Sequence, residues 1–189
     1  ATVKAMLEAG TDEAQTLQSY GTSSEIHAAG GDDVLNGSDG NDKLYGDDGD
    51  DGDDGNDTLN GGSNDDVLYG GTGDDTLDAG SWNDVLSGGT GSDTYLFSAG
   101  DGQDTLIEGS SNSDTLSFSE TLQAKNALIQ RSGNDLLIGF ADSIDSVTIK
   151  SYFSSSKSQV EHITFADGTD WLVEDILNHL EDDIPLPLA

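Results

Sequence analysis

The stretch GGTGDDTLDAGSWNDVLSGGTGSD, residues 70–93, repeats one phrase with a period of nine residues. Aligned copies start at residues 28, 37, 52, 61, 70, 79 and 88, and a looser copy starts at residue 99. Position six is aspartate in every copy, and position eight is always apolar. The position-six residues are Asp33, Asp42, Asp57, Asp66, Asp75, Asp84, Asp93 and Asp104. Such a pattern is typical of a solenoid, in which stacked copies share one core.

Each copy reads as a turn followed by a short strand. The six turn positions are rich in Gly, Asn and Asp, which suit a tight reversal with positive φ angles. In the strand only position eight is reliably apolar, so we expect it to face a core while positions seven and nine face outward. Two copies form one coil of 18 residues. Stacked coils then form two parallel sheets, which makes the predicted fold class all-β.

The stacked turns predict binding sites for a metal ion. Turns alternate between two edges, and each lies about 4.8 Å above the turn one coil earlier. Calcium takes 6–8 oxygen ligands at about 2.3–2.6 Å, so an ion midway between two turns reaches both, whereas magnesium at about 2.0–2.1 Å fits poorly. Each turn offers one carboxylate and several peptide carbonyls. With four turns on each edge, the repeat predicts up to about six Ca2+ ions.

Composition excludes several classes of function. The chain of 189 residues has 38 Asp and Glu against 6 Lys and Arg, a formal net charge of −32. Nucleic acid is excluded as a partner because no basic patch can meet phosphates. The absence of cysteine excludes disulfides, zinc–thiolate sites and thiol catalysis. The longest apolar runs, such as 136–138, are too short to span a membrane, and the first ten residues do not read as a signal peptide.

The repeats resemble the nonapeptide G-G-x-G-x-D-x-U-x of the RTX family of exported proteins, over about 80 residues. The resemblance implies a right-handed parallel β-roll with calcium between successive turns. It also implies a secreted protein, extracellular or at the cell surface. Such a chain crosses a type I secretion channel unfolded, with that machinery as a transient partner, and folds on meeting extracellular calcium.

The resemblance further implies a ligand set. Position six supplies a carboxylate from both turns, the lower turn adds the carbonyls of positions two and four, and the upper turn adds those of positions one and three. In this chain position one is Gly61, Gly70, Ala79 and Gly88, and position two is Ser38, Asp53, Gly62, Gly71 and Gly80. Position three is Ser63, Thr72, Ser81, Thr90 and Asp101, and position four is Gly40, Gly55, Asn64, Gly73 and Trp82.

The segment GDDGDD, residues 46–51, is a turn without a strand. We interpret it as an inserted loop, which leaves consecutive strands at 43–45 and 58–60. The insertion could instead place Asp51 in the site that Asp33 would share with Asp57.

The two edges of the roll are predicted to differ. Edge A holds the turns that end at Asp33, Asp57, Asp75 and Asp93, all with glycine at position four. Edge B holds those that end at Asp42, Asp66, Asp84 and Asp104, where position four includes Asn64 and Trp82. A tryptophan adopts positive φ only at a cost. We therefore expect edge A to bind calcium more tightly than edge B.

The chain is predicted to have three parts: an N-terminal flank or cap at 1–27, the calcium-binding roll at 28–107 and a β-rich capping module at 108–189. Residues 114–171 contain short alternating strands and resemble the haemolysin-type calcium-binding-related segment that follows RTX repeats. The stretch 171–180 has helical spacing, and a proline-broken tail follows it. A helix is also expected around residues 3–9, and a degenerate coil is expected to start near Ile26, nine residues before Leu35.

The predicted function is a calcium-binding module that folds on binding calcium after export. Without calcium, the stacked aspartates repel one another. The alternatives are a non-catalytic accessory module of a secreted protease, lipase or polysaccharide-modifying enzyme, or the distal end of a large calcium-dependent adhesin. No catalytic motif is recognised in the chain. His27, His162 and His179 are expected to have surface or structural roles. Trp82 is interpreted as a tolerated irregular turn rather than a sugar-binding aromatic, and the outward threonines as unsuited to binding ice.

Overall fold

Successive strands alternate between two sheets. The computed structural model describes residues 7–11, 13–19, 23–29, 31, 33–39, 41–47, 55–109, 112–119 and 121–180. In spatial order the nine-stranded sheet consists of β1 (Leu7–Ala9), β3 (Glu25–His27), β5 (Lys43–Asp47), β7 (Val67–Thr72), β9 (Val85–Thr90), β11 (Gln103–Leu106), β15 (Ser146–Ile149), β14 (Asp135–Phe140) and β13 (Ala127–Ser132). The eight-stranded sheet consists of β17 (Asp170–Leu172), β16 (His162–Phe165), β12 (Thr115–Phe118), β10 (Thr94–Phe97), β8 (Thr76–Ser81), β6 (Thr58–Ser63), β4 (Val34–Asp39) and β2 (Thr16–Gln18).

The repeat sets the register of both sheets. Strands β6 and β8 are parallel and pair Leu59 with Leu77, 18 residues later, and β7 pairs with β9 in the same way. The position-eight side chains point into the space between the sheets and are at most 4% exposed. They are Leu35, Leu44, Leu59, Leu68, Leu77, Leu86, Tyr95 and Leu106. The predicted parallel β-roll of nonapeptide repeats is confirmed.

The same coil extends toward the N-terminus beyond the recognisable repeats. Strands β1, β2 and β3 begin at residues 7, 16 and 25, so they keep the nine-residue spacing. Ile26 on β3 pairs with Leu44 on β5 and is fully buried, as expected for a degenerate coil. The helix expected around residues 3–9 is wrong at its described end, because Leu7–Ala9 is a strand paired with β3. Residues 3–6 of that prediction lie outside the described residues.

The insertion leaves the stack intact but lies within a turn. Across it the register lengthens from 18 to 24 residues, so that Leu35 pairs with Leu59 and Leu44 with Leu68. Asp47 pairs with Gly71, which is a position-two residue. Gly46 and Asp47 thus occupy positions one and two of the turn that ends at Asp57. In the sequence, the extra residues therefore stand between positions two and four of the turn that ends at Asp57.

The C-terminal part of the chain continues the roll and then closes it. Strands β12, β15 and β16 add in parallel to the two sheets. The hairpin of β13 and β14 then adds antiparallel to β15, and β17 adds antiparallel to β16. Helix α1 (Val173–His179) buries Ile176. A backbone bridge follows α1 between Leu180 and Ile129 on β13. The chain thus crosses from one sheet to the other at this end of the core.

The helix predicted over 171–180 begins two residues late, since Trp171 and Leu172 close the eight-stranded sheet instead. Two short 3-10 helices, Ala124–Asn126 and Ser156–Ser158, lie in loops. Aromatic side chains fill this end of the core. Phe118 is central, with ring centroids 5.6 Å from Phe97, 5.0 Å from Phe140 and 5.2 Å from Phe165. Within the described part of the chain, the helices are too short or too polar to cross a membrane.

Candidate metal centre

The position-six aspartates form a ladder along each edge of the roll. On edge A, the backbone N–H of Asp57 donates to Asp75 Oδ1 at 2.8 Å, and that of Asp75 donates to Asp93 Oδ1 at 2.9 Å. Asp33 donates in the same way to Asp57, 24 residues later, at 2.8 Å. On edge B the ladder runs from Asp42 through Asp66 and Asp84 to Asp104, with distances of 2.7–3.0 Å. Each ladder therefore stacks one carboxylate per coil, on the edge expected from the sequence.

The second oxygen of several ladder carboxylates is buried without a hydrogen-bond donor. The aspartates are at most 4% exposed, although each carries a polar group that demands a partner. Within the described part of the chain, these buried oxygens have no hydrogen-bond partner: Oδ2 of Asp42, Asp66, Asp75, Asp84, Asp93 and Asp114, and Oε2 of Glu108. A buried carboxylate oxygen without a donor fits a bound cation, because a cation supplies the positive charge that burial otherwise denies.

Glycine at position one brings a peptide carbonyl close to this free oxygen. A Cβ on Gly70 would overlap both Asp75 Oδ2 and the carbonyl oxygen of Gly88, the position-one residue of the next coil. A Cβ on Gly61 would meet Asp66 Oδ2 and the carbonyl oxygen of Ala79 in the same way. The free carboxylate oxygen of one turn and the position-one carbonyl of the next therefore face a common space.

Positions two and four supply carbonyls that point along the stack. A Cβ on Gly80 would overlap the carbonyl of Gly62 one coil earlier, and a Cβ on Gly91 would overlap that of Gly73. These close approaches require positive φ at position four, as at Gly73 (125°) and Gly91 (130°) on edge A. On edge B, Asn64 and Trp82 adopt it too, at 80° and 102°. The Trp82 turn therefore keeps the backbone shape of the repeat, and its indole is 59% exposed.

Position three contributes to stacking through its carbonyl. Thr90 O accepts from the backbone N–H of Gly73 at 2.8 Å, and Ser81 O accepts from that of Asn64 at 3.1 Å. A second ladder runs along the outside at position five. There Asn56 Oδ1 accepts from the Asp74 N–H at 2.7 Å, and Asp74 Oδ1 accepts from the Ser92 N–H at 2.7 Å. Adjacent turns are thus held in register by hydrogen bonds on both sides of each carboxylate.

Burial raises the pKa of several ladder carboxyl groups above the ordinary aspartate value. Loss of solvation is the largest cause, and the neighbouring carboxylates add to it, whereas the hydrogen bond from the backbone N–H of the preceding ladder residue works against it. The pKa reaches about 8 for Asp75 and Asp104, about 7 for Asp66 and Asp84, and about 6 for Asp93. The ladders therefore demand either protons or a metal cation.

Peptide carbonyls are needed to complete any ion site. Among the described residues, no three acidic, cysteine or histidine side chains form a group that could hold a metal ion. A site between two turns thus has two carboxylates and must take its other oxygens from the backbone. This composition of oxygen donors suits calcium, which takes carbonyls and carboxylates together.

The predicted ligand positions fall into three groups. Positions one to four at 61–64, 70–73 and 79–82, together with Gly88 and Thr90, lie in stacked turns beside the ladders. Ser38 pairs with Gly62 and therefore takes position two, as aligned. Gly40, Asp51 and Asp53 lie outside the described residues. The neighbour of Asp33 in the ladder is Asp57, and the alternative that places Asp51 in this site stays a prediction.

The looser copy at residue 99 departs from the repeat. The side chain of Asp101 turns back and accepts from the Ser98 N–H at 2.6 Å, and Phe97 fills the space that position one normally leaves open. Gly102 still takes position four, since it bridges Trp82. Asp145 accepts from the N–H groups of Gly100 and Gly102, at 3.0 and 3.2 Å, which fixes this turn against the C-terminal part.

The ladder on edge A also includes residues that the repeat alignment missed. Asp93 N–H donates to Asp114 Oδ1 at 2.9 Å, and Asp114 N–H donates to Glu161 Oε2 at 2.9 Å. The signal for Asp114 was present, because the tripeptide DTL at 114–116 is identical to those at 57–59, 75–77 and 104–106. Glu161 lacks that signal, since the hairpin of β13 and β14 intervenes and the residue is not an aspartate.

Comparisons with known proteins agree with this geometry. The family described as RTX calcium-binding nonapeptide repeat (4 copies) matches residues 27–51, 51–81 and 83–106. The family described as Haemolysin-type calcium binding protein related domain matches residues 135–175. A search of curated proteins finds no match.

One similar solved structure is that of the extracellular lipase LipA from Serratia marcescens, with 16% identity and a TM-score of 0.33. The match covers 78% of this chain and 38% of that one, so this chain spans well under half of the lipase structure. The family matches lie on the stacked turns and on the strands that close the roll. The chain therefore carries RTX calcium-binding nonapeptide repeats followed by a haemolysin-type calcium-binding-protein-related domain.

Proposed function

We propose that this chain is a calcium-driven folding module, whose roll closes at neutral pH when calcium ions occupy the spaces between stacked turns. The observation that carries the proposal is the pair of carboxylate ladders. Their buried carboxylate oxygens lack a hydrogen-bond donor and face peptide carbonyls of the next turn. Calcium binding and folding are then one event, because the unfolded chain does not hold these oxygens together.

The ligand set is the position-six carboxylates with the carbonyls of positions one to four, as the family resemblance implies. Each edge has four regular aspartates and therefore three spaces between stacked turns, so the two edges together hold up to about six ions. The edge A ladder continues from Asp93 to Asp114, which adds one more space between stacked turns. Residues 1–27, 28–107 and 108–189 remain our proposed division, although the strands of all three parts share the two sheets.

The setting we propose is outside the cell. Calcium is scarce in the cell interior and abundant outside, so a chain of this kind would stay unfolded during type I export and fold afterwards. No part of these 189 residues is proposed to be catalytic. An accessory role in a secreted enzyme and a place at the end of an adhesin remain alternatives, and the coding sequence that surrounds residues 1–189 discriminates between them.

The test is circular dichroism during a calcium titration, on wild type and on Asp75→Asn. This substitution keeps the oxygen that accepts a hydrogen bond from the Asp57 N–H. It removes one negative charge from the two edge A spaces on either side of the Asp75 turn. We expect it to raise the calcium concentration at the folding midpoint, and to destabilise the calcium-loaded protein by about 1–3 kcal/mol.

The matched control is Asp74→Asn, which removes the same charge from an exposed neighbour whose Oδ1 accepts from the Ser92 N–H. We expect it to stay within about 0.5 kcal/mol of wild type. Complete β structure in chelator, unchanged by millimolar calcium, would refute the proposed function.

A further inference from the structure

The edge A turn that ends at Asp114 carries a carboxylate where the regular turns have glycine or alanine. Position one of each turn lies two residues after the buried position-eight residue of the preceding copy. In the regular turns it is Gly61, Gly70, Ala79 or Gly88. In the next two turns the same place holds Phe97 and then Glu108, which are 3% and 5% exposed. Phe97 lies on edge B and Glu108 on edge A. The chain therefore fills this space with an apolar ring on one edge and with an acid on the other.

The surroundings of Glu108 leave one of its oxygens without a donor. Tyr95, which replaces the usual leucine at position eight, donates its hydroxyl hydrogen to Glu108 Oε1. The Tyr95 hydroxyl in turn accepts from the Gly88 N–H at 2.8 Å. Glu108 Oε2 is buried without a hydrogen-bond partner, and so is Asp114 Oδ2. Asp93 donates its N–H to Asp114 Oδ1, and a Cβ on Gly88 would overlap Asp93 Oδ2. The Tyr95 hydroxyl on Gly88 therefore holds Glu108 beside the same turn. The charges of Asp114 and Asp93 both act on Glu108.

We propose that Glu108, Asp93 and Asp114, with peptide carbonyls of the same turns, form a calcium site with three carboxylates, and that this site fills before the other sites of edge A. The proposal rests on the proposed function, because it assumes that ions bind between the turns. It adds a residue outside the nonapeptide ligand set and assigns an order of filling.

Burial and charge favour a cation at this place over a purely structural acid. Apolar packing was available at position one, since Phe97 provides it on the other edge. A third carboxylate in a dry interior is costly unless a positive charge compensates it. Calcium affinity rises with the charge of the ligand set, and the regular intervals offer two carboxylates. Among the described residues the three carboxyl groups do not form a metal-binding group by themselves, so the site must also take peptide carbonyls.

Tyr95 is a positioning residue in this arrangement. Its hydroxyl group joins the Gly88 backbone of one coil to the Glu108 side chain of the next coil. A leucine at the same place, as in the other repeats, could not hold the carboxylate. The unusual residue at position eight and the unusual residue at position one therefore belong to one site.

The first test compares calcium-binding isotherms of wild type and Glu108→Gln, measured by competition with a chromophoric chelator. Glutamine keeps an oxygen for the Tyr95 hydroxyl and removes the charge. We expect the tightest binding step to weaken by about tenfold or more, while the weaker steps persist. The matched control is Glu174→Gln, which removes one charge from an exposed residue of α1 and should leave the isotherm unchanged. An isotherm of Glu108→Gln identical to that of wild type would overturn the site but leave the proposed function intact.

A second readout does not depend on the folding of the Glu108 variant. Terbium has about the size of calcium and emits when a nearby tyrosine is excited. We expect tyrosine-excited terbium emission at the first equivalent to fall by more than half in Tyr95→Phe, because Tyr95 touches a ligand of the ion. Unchanged emission would overturn the proposal. Failure of wild type to bind any calcium would refute the proposed function itself, an outcome distinct from the loss of this one site.

Discussion

Trp82 shows how far the repeat tolerates a wrong residue at a demanding position. Its φ of 102° lies in the region that the other position-four residues reach mostly as glycine, and its side chain is 59% exposed. Holding a residue other than glycine there costs of order 1–3 kcal/mol, and the exposed indole recovers little of it through burial. The ladder still passes through this turn, from Asp66 to Asp84. The cost is therefore local to this turn, and weaker calcium binding at edge B stays a prediction.

Replacement of Trp82 by glycine should stabilise the calcium-loaded protein. Relief of the backbone strain is partly offset by the greater entropy of glycine in the unfolded chain, about 0.4–1 kcal/mol, so we expect a net gain of about 1 kcal/mol. The measurement is the urea midpoint in saturating calcium. In a structure of this variant at limiting calcium, the calcium occupancy of the edge B sites should be closer to that of the edge A sites.

The reverse change on edge A is the control for Trp82→Gly. Gly73→Ala places a Cβ against the Gly55 carbonyl at a φ of 125°. Because this backbone conformation is strained for alanine, we expect the substitution to destabilise the calcium-loaded protein by more than about 1 kcal/mol. If Trp82→Gly is neutral or destabilising, the indole makes compensating contacts, and the expected weakness of edge B loses its physical basis.

At the scale of strands and turns, the sequence predicts whatever keeps the period. The regular copies determine the two-sheet register, because a shift of one residue would turn every position-eight leucine outward and lose its burial. Where a segment breaks the nine-residue period, the sequence does not reveal which residues continue the ladder. Asp114 follows Asp93 by 21 residues and Glu161 follows Asp114 by 47, so their places in the ladder appear only when the chain is folded. The strand Thr16–Gln18 follows Gln15, which stands where the repeat has its position-six aspartate, yet the strand pairs with β4.

The position of the insertion leads to a prediction about length. Gly46 and Asp47 begin the turn that ends at Asp57, and removal of residues 48–53 would leave the sequence GDDGND, a regular copy. We expect this variant to fold with calcium and to gain less than about 1 kcal/mol from the shorter loop. The measurement is the calcium midpoint by circular dichroism, together with the urea midpoint in saturating calcium.

Deletion of residues 48–52 is the control, because it leaves that turn one residue too long. We expect the one-residue excess to weaken calcium binding relative to the six-residue deletion. Should the six-residue deletion abolish calcium-dependent β structure while the five-residue deletion preserves it, the assignment of Gly46 and Asp47 to the Asp57 turn would be wrong.

At the scale of the whole molecule, one electrostatic conflict governs stability. The net charge is −32, and the fold buries a row of carboxylates along each edge. Burial and mutual repulsion both favour the neutral form of these groups, so protons and calcium act on the same oxygens. The folded state without metal is therefore one that acid should stabilise, in contrast to proteins whose carboxylates are paired with basic residues.

In metal-free buffer we expect the roll to be most stable at low pH. The folded-state pKa values of about 6 to 8, against an ordinary 3.8, mean that the folded chain keeps protons which the unfolded chain has already released. The resulting stabilisation is complete below about pH 4 and is lost as the pH rises through about 6 to 8. Urea midpoints and far-ultraviolet circular dichroism from pH 4 to pH 8.5 measure it.

Saturating calcium should reverse this dependence, because ions replace the protons and acid then competes with binding. Asp75→Asn should flatten part of the metal-free profile, since it removes a carboxyl group whose pKa is raised to about 8. Asp74→Asn, at an exposed position, should not. If the metal-free protein instead gains stability as the pH rises from 4 to 8, the carboxylates of the ladders are ionised and compensated in the folded state without calcium. Calcium-driven closure of the roll would then lack its electrostatic cause.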